Sequence, residues 1–197
     1  MTKNLSLPLT KLNDGVLKVD KLSFNRPLEL HIHLNEQPWL DKILYDLISE
    51  NNPSDNNSDH TGKGGLSLDV HAEKKHSSRL DDYVLVKGKI EIKYPAECVR
   101  CLDSTSQSIS CEFSSCFIKN SFENSPEYKD STEIYVHSED RDLHFYKGNE
   151  IDIKGVVLEE IYVNKNHFPL HDPNCKGLCP ICGENLNLND CSHKKDS

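Results

Sequence analysis

Apolar and polar residues alternate most clearly after Pro27. Leu28, Leu30, Ile32 and Leu34 fall on one side, and Glu29, His31 and His33 on the other, the two-residue period of a strand with one buried face. Leu17 and Val19 mark a shorter strand before it. From Pro38 to Ile48 the period changes: Trp39 or Leu40, Ile43, Leu44 and Leu47 recur at three and four, which predicts a helix with one apolar stripe and Pro38 in its first turn. Residues 49–65 hold no large apolar side chain, so a flexible loop is expected there. Alternation returns with Leu66, Leu68, Val70 and Ala72, and a second loop is expected from Lys74 through Arg79.

The best strand comes next. Val84, Val86, Ile90, Ile92 and Tyr94 share one face, Lys87, Lys89, Glu91 and Lys93 the other, and Gly88 is a candidate bulge. This strand runs into Cys98-Val99-Arg100-Cys101. Ile109, Cys111, Phe113 and Phe117 alternate on the way back, giving an antiparallel hairpin with the cysteine turn near its tip. Cys111 and Cys116, five positions apart, should face opposite sides as ordinary buried or half-buried thiols. Ile134 and Val136 mark a short strand. Asp152 caps a helix whose apolar positions are Ile153, Val156, Val157 and Ile161, with Gly155 weakening it slightly. The fold class is therefore α+β: mostly antiparallel sheet, about two helices and a C-terminal cysteine-rich knuckle. Residues 1–170 form the sheet-rich domain, residues 171–193 the knuckle, and the residues after Cys191 a disordered tail.

The cysteines carry the chemistry. Eight occur in 197 residues, and four fall between Cys175 and Cys191 around Cys179-Pro180-Ile181-Cys182-Gly183. Two thiolates three residues apart grip one ion from a tight turn, and Gly183 supplies the positive φ that follows it. No apolar leader follows Met1 and no run approaches a membrane span, so a reducing cytoplasm is expected, where clustered cysteines bind metal rather than pair. Two ligand sets compete. Cys175, Cys179, Cys182 and Cys191 bind one structural zinc alone, closed by short loops, or Cys98 and Cys101 join Cys179 and Cys182 across the fold as in a two-knuckle ribbon. The first is preferred, with His193 as a substitute for Cys191.

Composition narrows the function. A net charge of −9 argues against a wholly basic surface for nucleic acid. Any such contact must be local, and Lys87, Lys89 and Lys93 with Arg100 beyond them are the candidates. Gly62-Lys63-Gly64-Gly65 lacks the spacing of a phosphate loop, and no nucleophile elbow or zinc-protease motif occurs, so no catalytic residue is assigned. Thiol exchange by Cys-x-x-Cys is the alternative, as a redox enzyme or sensor, although that chemistry places the motif at a helix start within a βαβ pattern. A zinc-ribbon adaptor linked to transcription is a third reading.

Three segments carry a family resemblance: Glu97-Cys98-Val99-Arg100-Cys101-Leu102, the helix with Glu159-Glu160-Ile161, and Cys175-Lys176-Gly177-Leu178-Cys179-Pro180-Ile181-Cys182-Gly183-Glu184-Asn185-Leu186-Asn187. Together they resemble the YceD family, the large ribosomal RNA subunit accumulation proteins, well over about residues 80–191 and loosely before that. The asparagine-rich stretch after Ile48 looks like an insertion relative to it. The resemblance implies a bacterial or organellar, non-enzymatic protein that supports accumulation or maturation of large-subunit (23S) ribosomal RNA. Its expected partners are that RNA, a ribosomal protein or an assembly intermediate, with no membrane and no small-molecule substrate.

Overall fold

The computed structural model describes residues 12–24, 26–53 and 64–193. The elements in chain order are β1 (Leu12–Asn13), β2 (Val16–Lys18), β3 (Leu28–His33), α1 (Pro38–Asn51), β4 (Gly65–Ser77), β5 (Asp81–Glu97), β6 (Ser104–Lys119), β7 (Glu133–Val136), β8 (Glu139–Tyr146), β9 (Glu150–Asp152) and α2 (Ile153–Asn164). A six-stranded sheet has the order β3-β4-β5-β6-β8-β7, and a small three-stranded sheet the order β1-β2-β9. All pairings are antiparallel except β6 with β8.

Each expected strand face goes where its period sends it. Leu28, Leu30 and Ile32 of β3, Leu66, Leu68 and Val70 of β4, and Val84, Val86, Ile90, Ile92 and Tyr94 of β5 enter one core. The helices close that core, α1 with Trp39, Leu40, Ile43, Leu44, Leu47 and Ile48, and α2 with Ile153, Val156, Val157 and Ile161. The Asp152 carboxylate accepts from Gly155 N at 2.8 Å and caps α2. At the other end of α1 the Asn52 amide donates to Ile48 O at 2.7 Å and to Pro95 O at 2.8 Å, which fastens the helix end to β5. Of the flexible loop expected over 49–65, residues 49–51 are helical and residue 65 opens β4, while 54–63 lie outside the described residues, as do 194–197 of the expected tail.

Two local expectations are corrected. The loop expected from Lys74 to Arg79 is strand as far as Ser77. Ion pairs hold its polar end, Lys74 and His76 both meeting Asp82 at 3.2 and 2.9 Å, and only 78–80 turn. Gly88 is not a bulge. The register runs unbroken through Val70, Gly88 and Phe113. The glycine is needed because a Cβ there would lie 2.3 Å from ring atoms of Phe113, which covers the missing side chain.

Cys111 and Cys116 do point to opposite faces. Cys111 packs on the main core, and Cys116 belongs to a second apolar cluster on the other side of the sheet with Tyr83, Leu85, Ile118, Ile134 and Leu143. Residues 120–131, β7 and β8 build that second cluster. Periodicity carries no signal for β8, Glu139-Asp140-Arg141-Asp142-Leu143-His144-Phe145-Tyr146, because its inward positions include a charge. Arg141 is buried and donates to Ser114 Oγ at 2.7 Å and to Glu139 at 2.5 Å. None of the described helices is long and apolar enough to cross a membrane.

Candidate metal centres

The β5–β6 hairpin ends in a tight turn. Cys98 N donates to Asp103 O and Leu102 N to Cys98 O, both at 2.9 Å, so Cys98 and Cys101 project from one loop. The segment after α2 returns to this tip. Val99 N donates to Pro169 O at 3.0 Å, and an Asp172-Pro173-Asn174 turn, closed by Cys175 N to Asp172 O at 3.0 Å, sets His171 and Cys175 against the hairpin. Cys98, Cys101, His171 and Cys175 thus offer four donor atoms that all lie within 4.8 Å of one another. Leu170 and Leu178 pack against the three buried thiols.

The chain then builds a second group that starts four positions on. Gly177 has φ 78°, and a Cβ there would come within 3.2 Å of Arg100 O, so glycine lets the backbone pass close under the hairpin tip. Leu178 N donates to that same Arg100 O at 3.0 Å. Next comes the Cys-Pro-Ile-Cys turn, closed by Gly183 N to Cys179 O at 2.8 Å, with Gly183 at φ 75°. Cys179, Cys182, Cys191 and His193 form this group, again with all donor atoms within 4.8 Å.

Asparagine amides clip the two groups together. Asn185 donates to Asp103 Oδ2 at 3.1 Å, Asn187 to Asn185 Oδ1 at 2.8 Å and to Cys175 Sγ at 3.4 Å, and Lys176 N donates to Asn187 Oδ1 at 2.7 Å. The Glu184-Asn185-Leu186-Asn187 run is therefore a brace between hairpin and knuckle.

Both ligand sets expected from the sequence are divided by this arrangement. Cys175 sits with Cys98 and Cys101 rather than with Cys179, Cys182 and Cys191, and the pair Cys98–Cys101 does not meet Cys179–Cys182. The reason is the return of the chain after α2, which brings His171 and Cys175 to the hairpin before the Cys-Pro-Ile-Cys turn begins. His171 carried a signal that sequence reading missed. It immediately precedes the Asp-Pro-Asn turn that Cys175 closes. His193, considered only as a substitute for Cys191, lies in the same group beside it.

The donor geometry suits a tetrahedral ion. Bonds of about 2.3 Å place two thiolates about 3.8 Å apart, and Cys98 Sγ and Cys175 Sγ are separated by 3.8 Å. The electrostatics agree. Burial opposes a charge on Cys98, but hydrogen bonds from His171 and from the backbone of Arg100 and Cys101 outweigh it and bring the thiol down to about 5. Burial and the neighbouring thiols then push Cys101 up to about 12. Interaction with the Cys98 thiolate raises His171, whose Nδ1 also lies 3.1 Å from Cys101 Sγ. Backbone amides of Cys182 and Ile181 lower Cys179 to about 6, while its neighbours Cys179 and Cys182 help raise Cys191 against the His193 amide. Without a cation, one thiolate per group blocks ionisation of the next, and a divalent ion removes that conflict.

A pH dependence follows. The lowered thiols are charged at neutral pH and take up protons as pH falls through their values, so an ion held by them is retained at pH 7 and lost on acidification. Release is expected first from the second group, where Cys182 and His193 are exposed, and at lower pH from the first group, whose three thiols are buried. Metal released into a chromogenic chelator across pH 7 to 4 should show two steps; a single step would contradict independent groups.

The side chains expected to meet a partner are mostly engaged. Arg100 Nη1 donates to Cys175 O at 2.9 Å, Lys87 pairs with Glu139 at 2.8 Å and Lys89 with Glu91 at 2.7 Å. Lys93 has no ion pair among the described residues. No curated protein and no solved structure matches the chain at a significant level. Residues 86–197, from the middle of β5 through both cysteine groups, match the family described as large ribosomal RNA subunit accumulation protein YceD. That match covers more than half of the chain, and on it the chain belongs to the YceD family.

Proposed function

We propose that the chain supports accumulation or maturation of large-subunit (23S) ribosomal RNA by binding, in the cytoplasm of a bacterium or in an organelle, with one zinc ion in each Cys₃His group. The observation that carries this reading is that the family match over 86–197 contains all eight donor residues. Four protein donors leave no open coordination position. Zinc held that way fixes loops instead of activating water, so the role is non-enzymatic. Residues 171–193 then act as a knuckle docked on the sheet-rich part through His171 and Cys175. The partner is large-subunit RNA, a ribosomal protein or an assembly intermediate.

Two measurements test the proposal. Cells depleted of the protein should show a lowered ratio of large- to small-subunit ribosomal RNA, restored by the parent chain; an unchanged ratio would overturn the role. Elemental analysis of the purified protein should give two zinc ions per chain. Thiol exchange is the competing reading, supported by the lowered Cys98 thiol beside His171. It requires metal-free protein whose vicinal thiols titrate reversibly with a redox buffer.

A further inference from the structure

We propose that the loops holding the two ligand groups form a docking surface for a basic polypeptide segment with apolar anchors. This deepens the binding reading above and rests on it. Among the described residues ten large hydrophobic side chains are exposed. Phe24 lies under the Lys74 ammonium, and Tyr162 bonds Glu50 through its hydroxyl. Five others fall on or beside the ligand loops, although those loops are a small part of the chain. Val99 and Leu102 are half exposed on the hairpin tip, Phe168 (76%) precedes His171, Ile181 (68%) sits between Cys179 and Cys182, and Leu188 (76%) lies between Cys182 and Cys191. Every loop that an ion would fix thus turns at least one large apolar side chain to water. Leu102 does so at φ 65°, a left-handed conformation that is costly for a leucine.

The loops that carry these side chains adjoin one another. Val99 N bonds Pro169 O, Leu178 N bonds Arg100 O, and the Asn185 amide bonds Asp103, so the tip, the segment around Phe168 and the knuckle are contiguous. Exposed apolar side chains gathered on adjoining loops of a fixed frame mark a protein contact.

Charge selects the partner. Residues 97–103 carry Glu97 and Asp103 against Arg100, and residues 168–193 carry Asp172, Glu184 and Asp190 against Lys176. Arg100 stays exposed while one guanidinium nitrogen donates to Cys175 O, and Lys165, just upstream, is paired with Glu50, so acids outnumber bases around the loops. Three thiolates and a neutral imidazole on a divalent ion leave roughly one further negative charge at each group. An acidic, apolar surface repels phosphate and fits a cationic polypeptide that offers leucine- or phenylalanine-like anchors.

The test uses the full metal-loaded chain with a photo-crosslinking benzoylphenylalanine at Ile181 or Leu188, and at Tyr135 on the edge strand β7 as control. The probes are the protein fraction extracted from purified large ribosomal subunits and, separately, protein-free large-subunit RNA. Crosslinks from positions 181 and 188, but not 135, to basic proteins of that fraction are expected. Phe168→Asp and Ile181→Asp should weaken the capture roughly tenfold or more while zinc content stays unchanged. Crosslinks to the RNA, to a second copy of the chain or to nothing would overturn the docking surface, as would undiminished capture by the Asp variants. A normal ribosomal RNA ratio in depleted cells would instead remove the cellular role and leave the crosslinking result standing, so the two failures are distinct.

Discussion

The Cys98→Ser, Cys101→Ser double variant is expected to hold one zinc ion where the parent holds two, and to free the segment from Phe168 onward. The first ligand group draws half its donors from the hairpin tip and half from the chain after α2, so its loss removes the staple between them. Metal binding to such groups is worth about 10–16 kcal/mol in small zinc-finger peptides, far more than the few backbone hydrogen bonds that also join tip and segment can replace. Trypsin should therefore cut at Lys176 much faster than in the parent, while the β4–β5–β6 meander stays protected. Cys179→Ser with Cys182→Ser is the complement: one ion lost, the hairpin staple kept, and new cleavage confined to the last loop. Zinc content and limited proteolysis read both outcomes. Two ions retained in the first variant, or none in either, would refute the division into two independent groups.

Ile90→Ala is expected to cost about 2–5 kcal/mol, the range for truncating a buried isoleucine to alanine. Ile90 is fully buried in β5, pairs with Leu68 on one side and Cys111 on the other, and belongs to the core that both helices cover. Loss of its three outer carbons leaves a cavity in a region bounded by two paired strands that cannot close over it. For a chain of this size the melting temperature should fall by roughly 4–20 °C. The urea midpoint should drop with an unchanged slope, since the surface exposed on unfolding is nearly the same. The variant should still bind two ions, because neither group touches this part of the core. Val99→Ala, on the exposed hairpin tip, should stay within about 0.5 kcal/mol of the parent. An Ile90→Ala cost below about 1 kcal/mol would mean that the core is not packed as described.

Strong periodicity made much of the fold legible. β3, β4, β5 and both helices lie where alternation and the three-four repeat put them, and Asp152 caps α2 as its position before Ile153 indicated. What escaped notice was held together by partners distant in sequence. β8 hides because Arg141 faces inward, its terminal nitrogens bonded to Ser114 and Glu139, and a charge at a core position breaks the pattern a strand is recognised by. Lys74 to Ser77 looked like loop because the acids that steady it sit across the turn. The ligand sets show the same limit. Nearness in sequence favoured grouping Cys175 with its three followers, yet Cys98 and Cys175, 77 positions apart, are the thiols that meet. Lengthening a closed loop severalfold costs only about 1 kcal/mol, and here the sheet and α2 have already closed it. Cysteine spacing marks the residues that could hold ions. The path of the backbone decides which of them come together in each group.

Because the first ligand group joins the hairpin to a segment made much later, its halves are synthesised at different times. Cys101 leaves the ribosome 70 residues ahead of His171, an interval on the order of 4–14 s at ordinary elongation rates. During that interval the hairpin can already pair, since its strands are adjacent in sequence, and its tip carries two thiols with no third or fourth donor. The newborn chain therefore passes through a stage with a half-made donor group exposed to oxidants and to stray metal. That stage ends when the turn at Asp172-Pro173-Asn174 delivers its histidine and cysteine.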